Sequence, residues 1–281
     1  MLKNLFKSLL RITLGVVIGV PLVLYPLLYF FQEKILFFPQ PIHPEIAQWA
    51  TLHYPHAAQR LDIENGQSLQ GWYVKAKPSR QAPLLLYFGG NAEEVTGFLS
   101  YKDELPGIGM VTFNYRGYGG SDGQPGEQAL FDDALRIYDH FGNLPEVDTR
   151  RIIVMGRSLG TGVAVYLAAQ RPVHRLILTS PYDSIQSLAQ AQYPYVPINW
   201  LLKHPFDSLA RAPHIKTPVL AFVGGNDRII PASHAETLLQ AWGGETHKVL
   251  IPQADHNTLG NSQNYWQQIR DFLKVDNNGS L

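Results

Sequence analysis

The sequence predicts an α/β fold built on a mostly parallel, doubly wound sheet. Short apolar runs rich in β-branched residues recur along the chain and are typical of buried strands. Helix-like segments separate these runs, and such alternation favours parallel strands joined by helices that cover both faces. The chain has 281 residues, of which 45% are hydrophobic and 16% are charged. This composition is typical of a globular protein with a substantial core.

The individual elements follow from local patterns. The first two strands, at 60–64 and 69–74, flank the turn signal Asn65-Gly66 and are predicted to be antiparallel. Six further strands are predicted at the apolar runs 84–88, 110–115, 152–155, 175–178, 219–223 and 248–252. Helices are predicted at 127–141, 159–170, 232–242 and 262–274. The proline-containing segment 36–54 is interpreted as a linker.

The N-terminal region, 1–36, has the pattern of a membrane anchor. Residues 12–31 carry no charge, and at a rise of about 1.5 Å per residue this run reaches about 30 Å, the thickness of a hydrocarbon core. Basic residues precede the run and predict a single-pass protein with a cytoplasmic N-terminus. The catalytic domain would then lie on the outer side, which is periplasmic in a Gram-negative cell. A lipid bilayer is thus an expected partner.

Two other interpretations of the apolar run stay open. A cleaved signal peptide needs a small-residue cleavage site, and the residues after position 31 are bulky. A buried core helix is the second alternative. A glycosylation sequon at Asn278 lies on the C-terminal tail and is weak support for a eukaryotic lumen.

Charge and cysteine content exclude several function classes. The chain has 23 basic and 23 acidic residues, so its balance gives no reason to expect a nucleic-acid partner. It has no cysteine, which excludes a disulfide framework, a thiolate nucleophile and thiolate metal sites.

A candidate nucleophile lies in the segment Gly156-Arg157-Ser158-Leu159-Gly160, which fits the pattern G-x-S-x-G. It joins the strand predicted at 152–155 to the helix predicted at 159–170. Strand, tight turn and helix are the context of a nucleophile elbow. The two glycines would let neighbouring backbone approach closely, and the helix N-terminus would direct amide N–H groups toward a developing oxyanion. An ordinary glycine-rich turn is the alternative.

A serine hydroxyl needs a base and an orienting carboxylate before it can attack. Asp227 and His256 each come directly after a predicted apolar strand. The order Ser158, Asp227, His256 is that of triads of this type, and the carboxyl ends of parallel strands meet at one edge. Asp227 could instead be a turn residue or a helix cap, and Asp183 and Asp255 are the alternative carboxylates.

Two backbone N–H groups are candidates for an oxyanion hole. One belongs to Leu159, directly after the serine, and the other to Asn91, in the loop Gly89-Gly90-Asn91 after the third strand. Glycines in that loop would let a substrate carbonyl approach the backbone. A plain tight turn is the alternative.

These blocks together resemble the α/β-hydrolase superfamily, and within it the Bem46-like group related to ABHD-type hydrolases and bacterial membrane-anchored proteins. The resemblance implies an α/β-hydrolase fold and a serine triad of Ser158, Asp227 and His256, with neither metal nor cofactor. The shared blocks are 86–92, 114–121, 156–160, 225–227 with 230–231, and 254–257.

The chain departs from the group at Gly89, where the group usually has histidine, and this departure is expected to loosen the loop that carries Asn91. Arg116 matches the structural loop of the group and is interpreted as scaffold. Segment 182–216 corresponds to the cap of a catalytic domain at 37–281. Its short, aromatic composition favours an acyl or small apolar group, and simple packing of the aromatic side chains is the alternative.

The sequence therefore predicts a serine hydrolase that cleaves an ester or thioester bond of a small-molecule or lipid acyl substrate. A serine peptidase of the same fold is one alternative. An inactive hydrolase fold used as a binding or scaffold protein is the other.

Overall fold

The computed structural model describes residues 2–77 and 81–274, which contain one eight-stranded sheet. The strands are β1 (Ala58–Asp62), β2 (Ser68–Val74), β3 (Ala82–Phe88), β4 (Gly109–Phe113), β5 (Val147–Arg157), β6 (Arg175–Thr179), β7 (Val219–Gly224) and β8 (Thr246–Ile251). Their order in the sheet is β1-β2-β4-β3-β5-β6-β7-β8. The pairs β1–β2 and β2–β4 are antiparallel and the other five pairs are parallel. The predicted mostly parallel sheet is confirmed.

Helices cover both faces of this sheet. They are α1 (Leu2–Leu36), α2 (Pro44–His53), α3 (Glu127–Gly142), α4 (Leu159–Gln170), α5 (Ile185–Gln192), α6 (Ile198–Leu201), α7 (Ala232–Gln240) and α8 (Tyr265–Lys274). Helices α3, α4 and α7 share a core with one face, and α2 and α8 share a core with the other. Strand β3 contributes to both cores, because Leu84 and Leu86 face the first while Leu85 and Tyr87 face the second.

Helix α3 shows how the sequence pattern produces this packing. Its buried side chains recur three or four residues apart, so they form one stripe along the helix: Leu130, Ala134, Ile137 and Phe141. The ring of Phe131 stacks on Tyr166 of α4 with ring centroids 3.9 Å apart. The stripe and the ring pair hold α3 and α4 side by side behind β5.

Helix α2 lies in the segment that the sequence indicated to be a linker. Pro44 is at the start of the helix, where the missing amide hydrogen costs nothing and the fixed φ angle is already helical. Ala50 is fully buried in the core shared with α8. The linker interpretation was therefore wrong for Pro44–His53, because proline in this segment begins a helix.

The membrane-spanning helix predicted at 12–31 is not found. In the two described ranges, no helix is long and apolar enough to cross a membrane. The prediction used only the uncharged run, whereas α1 continues through polar residues that bind the chain after α6. Gln32 donates to the carbonyl of Leu201 at 2.9 Å and accepts from the amide of Lys203 at 2.7 Å, and Glu33 forms an ion pair with Lys203 at 3.0 Å.

The cytoplasmic N-terminus, the outer-side catalytic domain and the bilayer partner were predicted from that span, and no helix of the described residues supports them. The sequon at Asn278 lies outside the described residues.

Arg116, in the loop after β4, is part of a mostly buried ion pair. Its Nε and Nη2 atoms donate to the two carboxylate oxygens of Asp133 on α3, at 2.8 and 2.7 Å. The Asp133 side chain is 5% exposed and that of Arg116 is 15% exposed. This bidentate pair ties the loop to α3, in agreement with a scaffold role.

We expect Arg116→Ala to lower the free energy of unfolding by about 3 kcal/mol, because it leaves the carboxylate of Asp133 buried and unpaired. Urea unfolding measures this loss. The matched control is Arg136→Ala, which removes a more exposed ion pair with Glu64 and is expected to cost less than about 1 kcal/mol. Equal losses in the two variants would contradict the interpretation.

Candidate active site

Ser158 lies in the turn between β5 and α4 with a strained backbone, at φ 52° and ψ −121°. A positive φ is uncommon for a residue with a side chain and costs roughly 1–3 kcal/mol. The two glycines of the motif are needed because backbone passes close to both. A Cβ on Gly156 would collide with the carbonyl of Gly160, and a Cβ on Gly160 would collide with the carbonyl of Phe88. This geometry is that of a nucleophile elbow.

The structure brings the three predicted catalytic side chains into one line of hydrogen bonds. His256 Nε2 lies 2.9 Å from Ser158 Oγ, and His256 Nδ1 lies 2.8 Å from Asp227 Oδ2. An ionised carboxylate can only accept, so Nδ1 carries the proton and donates it to Asp227. Nε2 is then free to accept from the serine hydroxyl. All three residues are buried.

Asp227, just after β7, is held as a charged carboxylate. Its Oδ1 accepts from the amides of Ile229 and Ile230 at 2.9 and 2.8 Å, and its Oδ2 accepts from the Ser180 hydroxyl at 2.9 Å. Burial raises the pKa of Asp227, but hydrogen bonds from His256, Ile230 and Ser180 together lower this pKa below its usual value. The carboxylate is therefore ionised at neutral pH.

The two alternative carboxylates have other partners. Asp183 Oδ1 lies 2.8 Å from Nδ1 of a different histidine, His234. Asp255 is exposed, and its Oδ1 accepts from the amide and the hydroxyl of Thr258 within one turn. The structure thus places Asp227, and neither alternative, against the ring of His256.

The two predicted oxyanion amides belong to Leu159, at the start of α4, and to Asn91, in the loop after β3. Across residues 2–77 and 81–274, no acceptor receives a hydrogen bond from the amide of Leu159 or Asn91. A Cβ built on Gly90 would lie 3.6 Å from Cβ of Ser158, so the Asn91 loop lies against the nucleophile. The amide of Gly90 donates to Glu93 at 2.9 Å and is therefore not free for substrate.

The loop that carries Asn91 is held firmly despite the glycine at position 89. The carbonyl of Gly89 accepts from the Tyr115 hydroxyl at 2.8 Å. The carbonyl of Asn91 accepts from the Tyr118 hydroxyl at 2.6 Å and from the amide of Phe38 at 3.0 Å. Two tyrosine hydroxyls therefore support this loop, and the looseness expected from Gly89 stays a prediction.

Sequence reasoning missed Arg157, Glu93 and Ser180. Arg157 occupies the first variable position of the G-x-S-x-G motif, and its guanidinium donates to Glu93 at 3.1 Å, to the His256 carbonyl at 3.4 Å and to Asn257 at 3.1 Å. One side chain thus joins the serine turn, the oxyanion loop and the histidine loop. The signal in the sequence was a positive charge in the G-x-S-x-G motif together with an acid just after Asn91, a combination that indicates an ion pair.

The arrangement suits attack by an activated hydroxyl on a carbonyl carbon. A base lies within reach of Ser158, and a carboxylate orients that base. Among the residues that the structure describes, no group of three histidine, aspartate or glutamate side chains is placed to hold a metal ion.

One family model and several known proteins are similar to this chain in sequence. Residues 83–210 match the family model described as Hydrolase_4: Serine aminopeptidase, S33. The chain is 36% identical over 199 residues to an uncharacterized protein of Mycobacterium tuberculosis (strain CDC 1551 / Oshkosh), covering 70% of this chain and 71% of the relative. An uncharacterized membrane protein of Saccharomyces cerevisiae is 27% identical, with 94% and 96% covered. Protein bem46 of Schizosaccharomyces pombe is 27% identical, with 91% and 90% covered.

Solved structures share the fold. An acetyl xylan esterase from Paenibacillus sp. R4 has a TM-score of 0.62 at 18% identity, covering 87% of this chain and 98% of the other. An esterase of Pyrococcus furiosus has a TM-score of 0.65 at 16% identity, covering 84% and 98%. At these identities the likeness shows a common fold.

The lowered pKa of Asp227 predicts a pH-dependent contribution to stability. Its folded pKa lies below the unfolded value of about 3.9, so the ionised form stabilises the fold above that pH and the contribution is lost as pH falls through the folded pKa. Asp227→Asn is expected to lower the free energy of unfolding at neutral pH, and its difference from the unchanged chain should shrink below about pH 4. Urea unfolding across this range measures the effect, and a pH-independent difference would contradict it.

Proposed function

Because the chain belongs to the α/β-hydrolase superfamily, in the family described as Serine aminopeptidase, S33, we propose that it is a serine hydrolase that cleaves an ester or thioester bond of an acyl substrate. The line of hydrogen bonds from Asp227 through His256 to Ser158 is the observation that supports this proposal. We assign the oxyanion hole to the amides of Leu159 and Asn91. We also assign segment 182–216, which contains α5 and α6, as the cap of a catalytic domain at 37–281.

The first half-reaction forms an acyl-enzyme. His256 Nε2 takes the proton of the Ser158 hydroxyl as Oγ attacks the substrate carbonyl carbon. The carboxylate of Asp227 stabilises the imidazolium that results, and the Leu159 and Asn91 amides donate to the oxyanion. The imidazolium then gives its proton to the leaving alcohol or thiol, the bond from carbonyl carbon to leaving group breaks, and the acyl group stays on Oγ.

The second half-reaction repeats the same steps with water. His256 takes a proton from a water molecule as its oxygen attacks the acyl carbonyl, and the oxyanion again lies against the two amides. Collapse of this intermediate breaks the bond to Ser158 Oγ, which receives its proton back from His256. The products are the free acid and the unchanged protein.

Peptide hydrolysis is the second candidate, since the matching family model is described as an aminopeptidase. An aminopeptidase must bind the positive amino terminus of its substrate. The acid in the oxyanion loop, Glu93, is instead paired with Arg157 and accepts from the Gly90 amide. This pairing favours an uncharged acyl group. The ratio of kcat/KM for an ester and an amide of the same acyl group separates the two activities.

We expect Ser158→Ala to lower the hydrolysis of p-nitrophenyl acetate by at least about 10⁴-fold and to abolish labelling by a fluorophosphonate probe. The removed hydroxyl is both the attacking group and the labelled atom. The matched control is Ser100→Ala, which removes an exposed hydroxyl that donates to the Gly97 carbonyl and should change neither result.

Hydrolysis that persists in Ser158→Ala would rule out the assigned nucleophile. An unchanged chain that neither hydrolyses esters nor takes the probe would favour the inactive binding or scaffold role.

A further inference from the structure

An apolar cavity lies between α1 and the cap helices α5 and α6, with a volume of about 350 Å³. One wall is the C-terminal part of α1 and includes Leu24, Leu28 and Ile35. The opposite wall belongs to the cap and includes Leu188, Ala189 and Leu201. We call this cavity the α1–cap pocket.

The polar atoms of Gln32, which also lines the α1–cap pocket, are already engaged. Its amide nitrogen donates to the Leu201 carbonyl at 2.9 Å and to the Tyr29 carbonyl at 3.0 Å. Its amide oxygen accepts from the Lys203 backbone at 2.7 Å. Aliphatic side chains form most of the remaining lining, so the cavity offers little to a polar ligand and favours a hydrocarbon.

Both walls of the α1–cap pocket connect to the candidate active site. On the α1 side, Leu36 lines the pocket, and its carbonyl accepts from the side-chain amide of Asn91 at 3.2 Å. On the cap side, Ile185 lines the pocket as the first residue of α5. Three residues earlier, the hydroxyl of Tyr182 donates to the Leu159 carbonyl at 3.1 Å. The lining of the pocket is therefore linked to Asn91 by one hydrogen bond, through Leu36, and to Leu159 through Tyr182, which lies three residues before Ile185.

The size and length of the cavity fit one extended chain. Leu24 and Leu36 lie twelve residues apart on α1, which is about 18 Å along a helix. A water molecule takes about 30 Å³ in the liquid, and a methylene group is of similar size, so about 350 Å³ holds roughly twelve such groups.

We propose that the α1–cap pocket binds the hydrocarbon chain of the acyl group that is transferred to Ser158. This inference rests on the proposed serine hydrolase function and narrows it to esters or thioesters of medium-length fatty acids. The N-terminal helix then forms one wall of the substrate-binding site, opposite the cap.

Hydrolysis of p-nitrophenyl esters of increasing acyl length tests this assignment. We expect kcat/KM to rise about fourfold for each added methylene, which corresponds to about 0.8 kcal/mol of burial, and to level off at roughly twelve carbons. A parallel series of acetate esters with lengthening alcohols should show no comparable rise. A flat acyl series, or a rise that follows the alcohol, would overturn the proposal.

A pair of variants on α5 places the effect in the pocket. Ala189→Phe adds a ring inside the cavity and should lower the ratio of kcat/KM for the dodecanoyl ester to that for the acetyl ester by at least about tenfold. Ala191→Phe adds the same ring at an exposed position outside the lining and should leave the ratio unchanged. An equal response of the two variants would show that the chain binds elsewhere.

Binding of dodecanoic acid to Ser158→Ala, measured by calorimetry, separates this proposal from the proposed reaction. Binding should be lost when Ala189→Phe is added and retained when Ala191→Phe is added. If the acid binds in this pattern but no ester is hydrolysed, the assignment of the pocket to a hydrocarbon chain is supported and the hydrolase function is wrong. If esters are hydrolysed through Ser158 and the acid does not bind, the pocket fails and the function stands.

Discussion

The strained backbone at Ser158 fixes the position around which the rest of the site is built. Its amide donates to the Thr179 carbonyl at the end of β6 at 2.9 Å, and its carbonyl accepts from the Thr161 hydroxyl at 2.7 Å. Gly160 lies against the last carbonyl of β3. Hydrogen bonds and close contacts to two flanking strands thus offset a positive φ that costs roughly 1–3 kcal/mol. The sheet thus fixes the position of the Ser158 hydroxyl, and only His256 and the proposed oxyanion amides remain to be positioned by loops.

Arg157 holds two loops of the candidate site, the one that contains Glu93 and the one that contains His256. Its guanidinium binds the carbonyl of His256 on one side and the carboxylate of Glu93 on the other. Glu93 in turn takes the amide of Gly90, which leaves the next amide, that of Asn91, for a substrate. The same ion pair therefore contacts the loops of the proposed base and of one proposed oxyanion donor, and its arginine adjoins Ser158 in the sequence.

The fold was largely predictable, because apolar runs and helical periodicity are local signals. All eight predicted strands are present, and the helix predicted at 127–141 is α3, Glu127–Gly142. The order of the motifs favoured Asp227, but Asp183 stayed an alternative because both follow strands. Only the packing of β7 beside β8 brings Asp227 to His256, whereas Asp183 meets His234 of α7. Helix α2 was missed because proline both begins and breaks helices. The role of Arg157 was missed because its partners lie about 64 and 100 residues away.

The bond between the Leu36 carbonyl and Asn91 makes the N-terminal helix part of the candidate site. The Phe38 amide donates to the Asn91 carbonyl, so residues at the end of α1 and just after it contact the residue whose backbone amide is the proposed oxyanion donor. A shortened protein that began beyond Phe38 would keep its serine, histidine and aspartate but lose two supports of the loop that carries the proposed oxyanion donor. The rate of the proposed reaction can therefore depend on the end of the N-terminal helix even when the three triad residues are unchanged.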